Sequence, residues 1–182
     1  MRAALALITI GALALVVEGA LVSVLPSLLL PDVALVGSIA AALFLGGAPA
    51  LLALAGLGFA SDLLTGAPLG LHVLVLLVPF VATRLANGSL ELRRGMPEAV
   101  LVALLTPLAG VLTLGCMRLT GVSVSFGLEF WLGLALQTAV NALLAPGACA
   151  LAEAIASATG DVDPTRRGVA YVGSAAWAAG RR

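Results

Sequence analysis

The chain has 182 residues, 62% of them hydrophobic and 10% charged, and nine acidic side chains balance nine basic ones. A soluble domain runs at about 45–50% apolar and about 25% charged, so too little polar surface is present here to cover a water-facing fold. Composition therefore excludes a soluble enzyme, a disordered tail and, with no basic field, a nucleic-acid-binding domain. A mean hydropathy of +1.18 reads as an integral membrane protein.

A helix needs about 20 apolar residues to cross about 30 Å of hydrocarbon. Ala3–Leu25 meets that length, interrupted only by Glu18. It is longer than a signal-peptide core of about 7–15 residues, so it reads as a retained first span. Pro26 to Asp32 reads as a loop, with Pro31 and Asp32 suited to starting a helix. Val33–Leu64 is too long for one upright span, and Gly46-Gly47-Ala48-Pro49 breaks it into Val33–Leu45 and Pro49–Leu64. Leu69–Ala86, Glu98–Leu119 and Leu128 to about Ala156 follow, the last projecting beyond the membrane from about Ala152. The expectation is an all-α polytopic protein, a compact bundle of six transmembrane helices. It forms one domain over residues 1–160, with a short, poorly ordered cytoplasmic tail over 161–182.

All nine basic residues are arginine. With six spans and both termini in the cytoplasm, Arg2, Arg84, Arg93, Arg94, Arg166, Arg167, Arg181 and Arg182 lie inside and only Arg118 lies outside, a strong positive-inside bias. A five-span alternative, with Val33–Leu64 as one tilted helix and the N-terminus outside, moves only Arg2. The Gly-Gly-Ala-Pro break favours six. The same topology sets Cys116 and Cys149 roughly 20 Å apart along the bilayer normal, so two free thiols are expected.

Ionisable groups within spans are costly and need a reason. Asp62 shares a helix face with Ala55, Gly58 and Thr65, small neighbours that let a second backbone approach. His72 begins the next span, across the Thr65–Gly70 turn, within reach of Asp62. That pair reads either as a proton relay or ligand site, or as a turn lock. Glu129, Gly133, Gln137, Asn141 and Ala145 recur every four residues, one stripe on one face of the last span. The stripe either lines a cavity or partner surface, or bonds helices together. Glu18 could join it if the first and last spans are neighbours. Pro79, Pro107 and Pro146 fall within spans and shape them, and Trp131 suits an aromatic belt.

Catalytic, cofactor and metal sites are not expected. One histidine and two separated cysteines do not make a zinc site, and there is no P-loop, GxSxG elbow or HExxH. The reading is of a protein that is not an enzyme.

The stretch Gly56–Leu74, GLGFASDLLTGAPLGLHVL, resembles the most recognisable segment of the MreD family of bacterial rod shape-determining membrane proteins. The matching positions are Gly56, Gly58, Asp62, Gly66, Pro68, Leu69, Gly70 and His72. Asn141–Pro146, NALLAP, resembles the Asn and Pro of that family's last span, and Pro31-Asp32 entering a helix also fits. The chain departs from the family at Gly37 or Ser38, where a large apolar or aromatic residue is often seen. The resemblance implies a non-enzymatic scaffold of the cell-elongation machinery in the inner membrane, organising lateral peptidoglycan synthesis. Its implied partners are a bitopic MreC-like protein, MreB, RodA and a class B penicillin-binding transpeptidase. Gly58, Asp62, Gly66, Pro68, Gly70, His72, Gln137 and Asn141 become candidates for helix packing or partner docking, and Arg84, Arg93 and Arg94 for topology or lipid contact. Members of the family are similar in fold to the substrate-binding subunits of energy-coupling-factor vitamin transporters. Such a subunit is one alternative function, although only 4% of residues are aromatic and the first span lacks Ala-xxx-Ala pairs. A small proton-coupled carrier using Asp62 and His72 is the other.

Overall fold

The computed structural model describes residues 2–22, 30–45, 47–90, 98–122 and 127–160. Among them are six helices and no strand: α1 (Arg2–Val22), α2 (Val33–Phe44), α3 (Gly47–Thr65), α4 (Leu71–Leu90), α5 (Glu98–Leu119) and α6 (Leu128–Thr159). The expected break holds. Leu45 is extended (φ −101°, ψ 157°) and α3 starts at Gly47. The expectations for Arg93, Arg94 and the tail over 161–182 lie outside the described residues.

The six helices differ in length. Among the described residues α1, α3, α5 and α6 are long and apolar enough to cross a membrane, whereas α2 and the apolar part of α4, Leu71–Asn87, are shorter. The 12 residues of α2 rise about 18 Å, little over half of a hydrocarbon core of about 30 Å. Apolar residues occupy nearly all of its circumference, which suits either lipid or a protein interior, and its burial shows the interior. Nine of its residues are buried, including Leu35, Val36, Ile39 and Phe44. It packs chiefly against α4 and α6, while α1 lies mainly on α3, and α5 pairs with α6.

Both ends of α2 are satisfied by polar groups. Asp32 is its N-cap and accepts the Leu35 N–H at 2.8 Å, filling one orphan donor of the first turn. At the other end Arg84 of α4 donates to the Leu45 carbonyl at 2.9 Å and the Ala42 carbonyl at 3.4 Å. A guanidinium there also opposes the negative end of the helix dipole. Arg84, expected as a lipid or topology anchor, is thus also a cap for a neighbouring helix. Pro79, Pro107 and Pro146 all lie inside helices that continue past them. Cys116 and Cys149 form no disulfide.

Candidate functional site

The α3–α4 connection begins with chain reversal. Gly66 (φ 68°) and Gly70 (φ 93°) occupy the left-handed region, where a side chain is strained. No atom lies within 4 Å of a Cβ built on either, so their role is the turn itself rather than close packing. Gly70 has no side chain to cap α4, and Asp62 of α3 supplies the missing acceptor. Its Oδ2 accepts the Gly70 N–H at 2.7 Å and its Oδ1 the His72 N–H at 2.8 Å. The His72 ring joins through Nδ1, 2.7 Å from the same Oδ1. Asp62 is 1% exposed. Its carboxylate therefore sits at the dipole-positive start of α4, where a negative charge is stabilised.

One turn earlier, a Cβ on Gly58 would stand 2.6 Å from Val73 Cα and 2.9 Å from the His72 carbonyl carbon. Only glycine allows the two backbones to meet so closely. Gly58 sets the crossing of α3 and α4, and Asp62 ties it.

The second polar junction joins three helices. The Asp32 backbone N–H donates to Asn141 Oδ1 at 2.9 Å, and Asn141 Nδ2 donates to Thr106 Oγ1 at 3.3 Å. Asn141 is fully buried. It lies 13 residues beyond Leu128, about 20 Å from the start of α6, so the N-terminus of α2 begins deep within the bundle. The lower part of the α6 stripe, Asn141 and Ala145, is packed. Glu18 makes no hydrogen bond to the stripe among the described residues.

The upper part of that stripe behaves differently. Glu129, Gly133 and Gln137 line a cavity of about 480 Å³ between α5 and α6, which Thr113, Thr106, His72 and Asp32 also border. The floor of this cavity is the capped start of α2, and its mouth is the first turn of α6. A second, almost wholly apolar cavity of about 330 Å³ separates α1 from α2 and α6. Phe130 and the half-exposed Trp131 meet edge to face, centroids 5.3 Å apart.

Asp62, His72 and Gly58 were reachable from sequence because they share one hairpin. Thr106 and the capping role of Arg84 were not, since each acts on a helix distant in the chain. The Pro-Asp helix start pointed to Asp32 as a cap and the α6 stripe to Asn141 as a packing residue, but nothing in the sequence joined the two. Among the described residues no group of three or more His, Cys, Asp or Glu could hold a metal. Fold and site together define a helical bundle with membrane-length helices, internal polar ties and a polar cavity. Comparison with protein-family models, with curated proteins and with solved structures finds no match.

Proposed function

We propose that the chain is a multi-pass scaffold of the bacterial inner membrane, resembling MreD, that holds an MreC-like bitopic protein and, with MreB, RodA and a class B transpeptidase, organises lateral wall synthesis. In this reading both termini face the cytoplasm and no reaction is catalysed. One observation carries it. Asp62, the least exposed carboxylate among the described residues, is engaged by three nitrogens of its own hairpin, which suits a structural tie and leaves it poorly placed to exchange protons or hold cargo. The Gly56–Leu74 segment that resembles the family is the same hairpin. The scaffold reading is tested by co-purification of the detergent-solubilised chain with an MreC homologue. Stable recovery of the complex is expected, and its loss on Asp62→Asn is expected to track loss of folding. Retention of a vitamin-like molecule without such a partner overturns it.

A second reading, the substrate-binding subunit of a transporter, is favoured by the cavity between α5 and α6, whose size lies in the range of small-molecule sites. Neighbouring genes separate the two: homologues of MreB and MreC beside this gene favour the scaffold, and transporter ATPase genes the subunit.

A further inference from the structure

We propose that the apolar cavity between α1 and helices α2 and α6 holds one acyl chain of a bilayer phospholipid, packed lengthwise against α2. The inference rests on this cavity and on the membrane-length helices, and stands whether or not the chain docks partner proteins.

The shape of the cavity selects its occupant. Its walls run along α2 from Asp32 to Leu45 and along α6 from Leu144 to Ile155, a length of about 16–18 Å at 1.5 Å per residue. That is close to half of a hydrocarbon core of about 30 Å, the depth of one leaflet. Its volume of about 330 Å³, spread over that length, leaves a cross-section of about 20 Å², room for one alkyl chain and far too little for a helix about 10 Å across. An apolar cavity of about 150 Å³ accommodates benzene, so this one has space for about a dozen carbons.

Water is a poor occupant, because a buried water needs two to four polar partners and apolar cavities stay dry. Three polar residues line the cavity, Asp32, Ser61 and His72. Asp32 already caps α2 and His72 already bonds Asp62. Nor does any described residue fill the space. Left empty, it forfeits the van der Waals packing on which helix association in lipid depends.

Entry is from the side. Val33 of α2 and Leu144 and Leu151 of α6 line the cavity and are exposed, so its seam opens where lipid surrounds the bundle. A chain can slide in there while its headgroup stays at the interface. α1 is held off the seam, since its Gly11 lies directly against the Leu57 side chain of α3. Gly37 of α2 and Gly147 of α6 also line the cavity, and a Cβ built on either meets nothing within 4 Å. Both walls are smooth where the chain lies.

The test uses the full chain in phosphatidylglycerol nanodiscs, with a trace of phosphatidylglycerol carrying a diazirine midway along one acyl chain. Irradiation and peptide mapping locate the adducts. They are expected to concentrate on the cavity walls around Gly37 and Ala148, above a low, even background at exposed Leu13 and Leu104. Gly37→Leu and Gly147→Leu fill the cavity from opposite walls and replace glycine by a better helix former. Each is expected to lower the wall adducts to background, with helical content by circular dichroism unchanged. Native mass spectrometry of the parent chain, which needs no variant, is expected to show a single retained phospholipid. Even labelling of the whole lipid-facing surface, wall adducts that persist in both folded variants, or no retained phospholipid overturns the proposal.

Discussion

Asp62 and His72 meet across the Gly66–Gly70 connection, and the carboxylate takes both the backbone N–H and the ring nitrogen of the histidine, at 2.8 and 2.7 Å. The backbone bonds cap a helix; the ring bond braces the cap. Asp62→Ala therefore strands the first donors of α4 and costs about 2–3 kcal/mol. His72→Ala removes only the brace and costs about 1 kcal/mol. Asp62→Asn falls between, since one amide oxygen replaces two acceptors. Reversible unfolding in mixed detergent micelles ranks the three; a larger loss for His72→Ala than for Asp62→Ala contradicts the capping account.

Two glycines in α3 make a matched pair. At Gly58 an added methyl meets the α4 backbone at 2.6 Å, whereas at Gly56 it meets nothing within 4 Å. Gly58→Ala is expected to destabilise by about 1–3 kcal/mol as α4 is pushed away. Gly56→Ala gains up to about 1 kcal/mol from helix propensity. The same unfolding assay distinguishes them, and equal effects count against close α3–α4 packing.

Arg84 reaches the carbonyls that end α2. Arg84→Leu leaves them without this donor and should cost about 1–3 kcal/mol. Arg84→Lys, with one flexible ammonium in place of a planar fork, recovers part of that. If both variants unfold like the parent, the cap contributes nothing to stability.

Asn141 links α2 to α5 through Asp32 and Thr106. Asn141→Leu should cost about 1–3 kcal/mol, and a double-mutant cycle with Thr106→Val should show non-additivity. Simple additivity would place the two side chains out of contact.

Thr83 of α4 is fully buried and its hydroxyl has no partner among the described residues. Thr83→Val keeps the shape and removes the orphan oxygen, so a gain of about 1 kcal/mol is expected. A loss of stability in the unfolding assay means that the hydroxyl has a partner after all.

The helices were legible in the sequence where chemistry is local. Gly46-Gly47 divides α2 from α3 because consecutive glycines and a nearby proline interrupt any long helix. The Asp62–His72 tie was legible because a short turn sets its partners side by side. The start of α4 was less so: Leu69 and Gly70 read as the beginning of an apolar span, but the helix begins at Leu71, after the left-handed Gly70. The α6 stripe was legible as a stripe and not as a division of labour. Asn141 and Ala145 pack while Gln137 and Glu129 border a cavity, because α2 starts only after Asp32 and no described residue fills the space above it. That depends on where a distant helix ends, which periodicity along α6 does not encode.

The short α2 has a consequence for biogenesis. At 12 residues it falls in the length class of a buried core helix rather than of an independently inserting span. The two groups from other helices that bond its ends, Arg84 and Asn141, are translated after it, on α4 and on α6. As the nascent chain leaves the ribosome, α2 emerges before either exists. Its settled place therefore comes only once α6 has been made, and vectorial synthesis leaves the centre of this bundle open until then.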